Sequence, residues 1–312
     1  MPRRIEDIFQ PVTIRNTVLA EHISVFTTYH IQHYAKETVK TYSKALQSFL
    51  SFILVDRNFK YRLTDFERYA VYLSQVKHLS PATVSTYLTA LRRFCQYLVE
   101  CKELPRNPAK RIHGGTIPKK LPTFFTQIEL QSVLKSSEYP TLNDLRNIAM
   151  MHAILSCFLT EQELHKAQVK DVSVEERCIF INDEKVPMTK NAMSALQAYL
   201  QMRFGTQQSH YEMPLFESHS NRSKGLSISI RGIRDTLHQR LMKLGVPEER
   251  KSCLSAYTFR HTGGCLLAIA GYSDEHIMQK MRLKWKTSAL QYLQLQQNAI
   301  SEGLEECLYL ID

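Results

Sequence analysis

Paired cysteines are missing from this sequence. Its seven cysteines, Cys95, Cys101, Cys157, Cys178, Cys253, Cys265 and Cys307, form no CxxC pair, and no spacing between them repeats. Neither a structural zinc site nor a disulfide framework is expected on that ground, and free thiols in a reducing cytoplasm are the better reading. The twelve histidines are scattered, with no metal-type HxxxH pair on an obvious helix. No apolar run approaches the roughly 18–20 residues that would span a membrane. The first residues, "MPRRIEDIFQPVTIRN", are basic but lack the apolar segment of a secretory signal. Acidic residues are in short supply. Against 30 Asp and Glu stand 40 Lys and Arg, giving a net charge of +10 and a pI near 9.2. On a soluble chain such an excess favours a polyanionic partner, nucleic acid first.

A repeat is present instead. "ETVKTYSKALQSFLSFI" (37–53) and "ATVSTYLTALRRFCQYL" (82–98) match at Thr38/Thr83, Val39/Val84, Thr41/Thr86, Tyr42/Tyr87, Ala45/Ala90, Leu46/Leu91 and Phe49/Phe94. Their apolar residues fall at the spacing of one helix face. Ser80 reads as an N-cap with Pro81 at the first helical position. Between the copies, "LTDFERYAVYLSQV" reads as a further amphipathic helix with Thr64 as its cap. Residues 1–112 are therefore expected to form a small all-helical domain. Its polar faces are basic. Lys36, Lys40 and Lys44 stack at i, i+4 and i+8, where like charges repel by a few tenths of a kcal/mol per pair. Arg92 and Arg93 lie in the second copy, and Lys102, Arg106, Lys110 and Arg111 follow. A phosphate backbone would relieve this repulsion.

Residues 113–122 carry Gly114, Gly115 and Pro118 beside Lys119 and Lys120, the pattern of an interdomain linker. Thr126 with Glu129 makes a capping box. From 123 onward helices are expected over 127–135, 142–158, 161–168, 190–204, 229–244, 263–270 and 274–281. One strand pair stands out: "RCIFIND" and "EKVPM" predict a hairpin turning near Asn182-Asp183. In "LSAYTFRHTGG" (254–264), Arg260, His261 and Thr262 precede a run that reads as a helix, with Tyr257 three places before the arginine.

With these pieces in this order, the chain resembles the tyrosine recombinase (phage integrase) family over roughly 20–295. "SPATVSTYLTALRRFCQYLVECKELPRNPAKRI" is similar to that family's helical core-binding domain. "LPTFFTQIELQSVL", "LRNIAMMHAILSCFLTEQELHKAQVKDV", "FINDEKVPM", "LSAYTFRHTGGCLLAIAGYSDEHI" and "MRLKWKTSALQYL" are similar to successive parts of its catalytic domain. The resemblance implies a mainly α fold. An N-terminal SAM-like core-binding domain (1–112) and a linker (113–122) would precede a mostly helical catalytic domain with a small β-hairpin sheet (123–295). A C-terminal helix or tail (296–312) would follow, docked on a neighbouring subunit as in the family or on its own domain.

The resemblance also implies a chemistry. A tyrosine hydroxyl attacks a DNA phosphodiester and becomes linked to the 3′ phosphate, without metal or other cofactor. Two arginines hold the non-bridging oxygens, and a lysine with histidines or a tryptophan manages protons. By this resemblance Tyr292 is the nucleophile, Arg260 the second arginine, His261 its neighbour, and Tyr257 stands at a histidine position. Lys185 is the candidate hairpin lysine. Leu283 holds the last histidine or tryptophan position, with Lys284 and Trp285 close by. Where the first arginine belongs the chain has Thr160, with Glu163 kept after it. One preorganised donor lost costs about 10²–10³ in rate, and Lys166 is a candidate to compensate.

The resulting expectation is a clamp on double-stranded DNA, with Lys36, Lys40, Lys44, Arg92, Arg93, Lys119 and Lys120 as phosphate contacts. It would act in DNA recombination or in the integration of a mobile element, with weakened or lost strand cleavage. The alternative is an active, divergent recombinase working through Tyr292. Expected partners are DNA and either further copies of the chain or an active recombinase, not a membrane. The expected location is the cytoplasm, at the nucleoid.

Overall fold

The computed structural model describes residues 14–56, 58–112, 114, 121–205 and 212–312. The chain divides into two compact units, Met1–Lys119 and Lys120–Asp312. Of the expected linker, only Gly114, Leu121 and Pro122 are among the described residues, and Lys119 and Lys120 lie outside them.

In the N-terminal unit, α1 (Asn16–Val25) runs on into a π-helical turn, Phe26–His30, and is followed by α2 (Lys36–Val55). Then come α3 (Leu63–Val71) with a second π turn, Tyr72–Val76, α4 (Pro81–Glu100) and a 3₁₀ turn, Pro108–Arg111. The sequence repeat is a structural one. Both ends of α2 and α4 are displaced by the offset of the repeat (36 to 81, 55 to 100). The two helices pack on each other. Ala45 and Ala90, Leu46 and Leu91, and Phe49 and Phe94 are all buried. The Ser80 hydroxyl accepts the Thr83 N–H at 3.3 Å ahead of Pro81, as expected. Thr64 is not the cap of α3. It lies inside the helix, and the Asp65 carboxylate closes the turn by accepting the N–H groups of Lys60 and Arg62, each at 3.0 Å. A carboxylate at the N-terminal end of a helix is also favoured by the helix dipole.

The C-terminal unit opens with α5 (Gln127–Leu134), capped by the reciprocal Thr126–Glu129 box. It continues through α6 (Leu142–Ser156), α7 (Glu161–Lys166), β1 (Val172–Ser173), β2 (Cys178–Ile181), β3 (Glu184–Pro187) and α8 (Lys190–Phe204). The remaining helices are α9 (Ile230–Leu241), α10 (Glu248–Cys253), α11 (Ala256–Ile269), α12 (Asp274–Lys280) and α13 (Lys286–Ser301). The strands form an antiparallel sheet in the order β1-β2-β3. Ile181 pairs with Glu184 across a two-residue turn whose Asn182 and Asp183 have φ of 49° and 65°. Two left-handed residues are what a type I′ hairpin requires, and Asn and Asp tolerate them. The two-residue strand β1 was not expected.

Two further differences matter for function. Arg260, His261 and Thr262 do not precede a helix but lie within α11, which starts at Ala256 rather than 263. The segment read as a tail from 296 continues α13 to Ser301 and ends in a 3₁₀ turn, Leu304–Leu310. Leu304, Cys307 and Leu310 are buried in the core of the same unit. The Asn191 side chain donates to the Tyr309 carbonyl at 2.7 Å, and Gln127 N–H to that of Glu302 at 3.0 Å.

All seven cysteines are unpaired. Among the described residues no helix is long and apolar enough to cross a membrane, and no cluster of three metal-type ligands occurs.

Candidate active site

Helix α11 organises the site. It packs against α6 and α13, and two glycines make that approach close. A Cβ on Gly263 would stand 1.9 Å from the Leu155 carbonyl oxygen of α6, and one on Gly264 2.7 Å from the Tyr292 ring of α13. Helical spacing then puts Tyr257 and His261 on one face, four residues apart, with Arg260 beside them. Their rings lie 5.7 Å apart, and the next ring, that of Tyr292, is 6.0 Å from His261.

The Tyr292 hydroxyl lies 3.0 Å from His261 Nδ1, within hydrogen-bonding distance. Tyr292 is 2% exposed. Burial pushes its hydroxyl up to about 12, against the opposing pull of the Arg260 charge. Burial also lowers His261 to about 4, with Arg260 adding to the effect. The imidazole is therefore neutral at neutral pH and keeps one nitrogen free to accept a proton. Arg260 is 7% exposed, and its guanidinium donates to the carbonyls of Phe158 and Met281. Burial draws its pKa down, and the charge of Arg282 does so next.

A small recess opens at this point, lined by Ile154, Leu159, Thr160, Glu161, Tyr257 and Arg260, with Ala256. Tyr257 is 48% exposed and forms its outer wall. Thr160 serves as the N-cap of α7. Its hydroxyl accepts Glu163 N–H at 3.2 Å, while its own N–H donates to Glu163 Oε2 at 2.6 Å. Glu161, the next residue, holds Arg234 of α9 through Nε at 2.6 Å.

The structure thus brings Tyr257, Arg260, His261 and Tyr292 together, from two helices. Lys185 is not among the residues lining the recess. It lies on β3 opposite Phe180, and its Nζ is 2.7 Å from Glu176. Leu283 packs against the core, while Trp285 is 71% exposed ahead of α13. Lys166 closes α7, and no contact of its side chain with Arg260 is seen.

Two cations went unrecognised in the sequence. One is Arg234. The other is Arg282, whose Nη2 donates to Glu163 Oε2 at 2.9 Å and to the Phe158 carbonyl at 3.1 Å. Its Nη1 reaches the Cys157 carbonyl at 3.4 Å. No periodicity or motif announces either residue, because their partners are distant in the chain.

In the N-terminal unit Lys36, Lys40 and Lys44 are exposed on α2, and on α4 Arg93 is exposed and Arg92 half-buried. None of the five forms an ion pair among the described residues. Tyr42 of α2 lies within electrostatic reach of Arg92 and Arg93. Burial and then Tyr34 push its hydroxyl up, and the charges of Arg93 and Arg92 oppose this.

Comparison with known proteins can now be set beside this geometry. The family model described as phage integrase, N-terminal SAM-like domain, matches residues 23–104, and that of the phage integrase family matches residues 123–298. Tyrosine recombinase XerC of Chlamydia muridarum (strain MoPn / Nigg) is 28% identical over 190 residues, 59% of this chain and 57% of that protein. Tyrosine recombinase XerC of Lacticaseibacillus casei (strain BL23) is 27% identical over 177 residues, 54% of this chain and 59% of that one. The match spans under two thirds of the length of these relatives. Among solved structures, the Tn1549 transposon integrase in complex with transposon right end DNA superposes with a TM-score of 0.67 at 16% identity, covering 90% of this chain and 99% of that one. The XerH site-specific recombinase bound to palindromic difH substrate gives 0.66 at 18% identity, covering 93% and 84%. At these identities the likeness is one of fold.

Proposed function

Because the chain belongs to the phage integrase family, we propose that it binds duplex DNA and acts in DNA recombination, cutting and rejoining one strand through Tyr292. The observation that carries this reading is the hydrogen bond between the Tyr292 hydroxyl and a neutral His261, directly beside the Arg260 guanidinium. Any buried phenol needs a hydrogen-bond partner; what supports the reading is that the partner here is a neutral imidazole able to accept the proton, on the residue next to Arg260.

In this reaction the phenolic oxygen attacks the phosphorus. A phosphorus–oxygen bond forms to tyrosine and the bond to the 5′ oxygen breaks, leaving a 3′-phosphotyrosine and a free 5′ hydroxyl. The phenol proton leaves by way of His261 and ends on the 5′ oxygen, so the step is balanced. Arg260 stabilises charge on the non-bridging oxygens. Tyr257, at the open wall, hydrogen-bonds the same phosphate. The phosphotyrosine conserves the bond energy, so rejoining needs no nucleotide. Lys36, Lys40, Lys44, Arg92 and Arg93 supply phosphate contacts that position the duplex without reading its sequence. Such contacts favour the nucleoid, where duplex DNA is, as the place of action.

A second reading is an accessory protein that holds DNA beside an active recombinase without cutting. Thr160 favours it, since a cap occupies the place of the first arginine. A covalent trap separates the two. The protein is incubated with sheared, nicked genomic DNA of its source organism, denatured in detergent and probed for attached DNA. Adducts that vanish in Tyr292→Phe support cleavage. Salt-sensitive binding with no adduct from the unmodified protein supports the accessory role.

A further inference from the structure

We propose that Arg282 supplies the second guanidinium of the phosphate site, replacing from another element the arginine that position 160 lacks. This inference rests on the cleavage reading above and extends it to a residue that neither the sequence motifs nor that reading had assigned.

Thr160 offers no cation, and both its hydroxyl and its N–H are committed to Glu163. Glu163, however, does more than cap α7. Its Oε2 also accepts Arg282 Nη2 at 2.9 Å. The acid that follows the missing arginine by three positions thus holds an arginine that arrives from the segment between α12 and α13. The same Arg282 nitrogen donates to the Phe158 carbonyl, the oxygen to which Arg260 Nη1 also donates. Two nitrogens sharing one acceptor stand within about 6 Å of each other. Arg260 and Arg282 therefore place adjacent guanidinium groups at the end of α6, of which Arg260 lines the recess and Arg282 is not among its lining residues.

The local charge is unbalanced. Two cations converge, Glu163 is bonded to Arg282 alone while Arg260 is bonded only to carbonyls, and Glu161 is engaged by Arg234. Like charges this close repel, and a phosphodiester entering between them would supply the missing negative charge. The backbone at Arg282 points the same way. Its φ is 51°, in the left-handed region that glycine adopts freely and a long side chain rarely does. A residue serving only to turn the chain there would do better as glycine. The side chain held in that conformation is one that reaches Arg260.

The competing account is that Arg282 merely fastens the Cys157 and Phe158 carbonyls. Exchanging the charge between the two positions decides the matter. Adduct formation on sheared, nicked genomic DNA of the source organism is timed for the unmodified protein, Arg282→Ala, Arg282→Lys and the double variant Arg282→Ala/Thr160→Arg. Melting temperature and DNA retention at low salt are recorded for each. We expect Arg282→Ala to slow adduct formation about 10²–10³-fold, the effect of losing one oxyanion donor, with DNA retention falling less than about tenfold. Arg282→Lys, which keeps charge but not the fork, should fall between. The double variant should regain at least about tenfold, because the guanidinium returns from the other side. Should Arg282→Ala fail to fold, Arg282→Gln carries the same comparison, since it drops the charge while keeping a donor for Phe158.

Adduct formation by Arg282→Ala within about threefold of the unmodified protein overturns the assignment and leaves cleavage by Tyr292 standing. So does a loss that tracks melting temperature and is not regained by Thr160→Arg. If the unmodified protein forms no adduct, the cleavage reading fails and this inference falls with it.

Discussion

Cations are used differently in the two units. On α2, Lys36, Lys40 and Lys44 stand in solvent without ion pairs among the described residues. In the C-terminal unit Arg260 is buried against two carbonyls, and Arg282 and Arg234 are each bonded to a carboxylate. The first arrangement gives long-range attraction that salt screens and that tolerates small displacements of the ligand. The second fixes donors before any ligand arrives, so little reorganisation remains when charge develops on a phosphate. Basic residues alone therefore do not mark the chemistry. What sets Arg260 apart from those exposed lysines is that the fold takes it out of water and holds it at a cost, burial first and the neighbouring Arg282 next.

The contrast can be tested at several strengths. Tyr292→Phe should abolish the covalent adduct while leaving low-salt DNA retention within about twofold. Arg260→Ala should slow adduct formation about 10²–10³-fold. Loss of DNA retention in Tyr292→Phe would mean that the buried cluster, and not the exposed stripe, governs affinity.

Next in size is packing. Gly263→Ala drives a methyl into the Leu155 carbonyl, which should cost about 3 kcal/mol or more in thermal unfolding of the C-terminal unit. Gly264→Ala should do similar damage through the Tyr292 ring. Normal melting of either variant would show that the close approach of α11 to α6 and α13 is not required.

The pH dependence is smaller per group. His261 and the buried His152 both titrate near 4, chiefly through burial. Their unfolded counterparts take up protons near 6.5. Between those values the unfolded chain binds more protons, so stability is full above about pH 6.5 and falls as the pH drops towards 4. At pH 5 the loss should be about 2 kcal/mol per histidine. His152→Asn should flatten part of that slope in denaturant titrations at pH 7 and pH 5.

The mildest effect belongs to the exposed stripe. Replacing Lys36, Lys40 and Lys44 together by Ala should reduce the slope of log affinity against log salt by about 2.7, if each contacts one phosphate. Adduct formation per bound complex should stay as it was. An unchanged slope would remove α2 from the DNA contact.

Much of this architecture was legible because it is local. The repeat carries its own period, Ser80-Pro81 and Thr126-Glu129 cap through neighbours, and Asn182-Asp183 supports the left-handed turn it builds. Glu129 also shows where local reading stops, since its carboxylate binds Arg250 from 121 positions away. The start of α11 was misread for a related reason. The expected helix began at Gly263, whereas α11 begins at Ala256 and carries Gly263 and Gly264 in its interior, where they let two helices come within reach. The site was half legible. Tyr257, Arg260, His261 and Tyr292 were found through the family resemblance and meet in space. Arg282 was not, because its partners Phe158 and Glu163 lie 124 and 119 positions away and its backbone conformation leaves no trace in composition.

Tyr292 lies beneath Gly264, with its hydroxyl on His261. If Tyr292 is the nucleophile proposed above, its burial keeps it sheathed until α13 loosens. If releasing it costs about 3 kcal/mol, fewer than about 1% of molecules are armed at any moment. Turnover would then be clocked by the loosening of α13, with the steep temperature coefficient of an unpacking event rather than that of bond exchange. Stray phosphodiesters brushing the surface would meet a sheathed tyrosine, and only DNA that stays bound long enough would be cut.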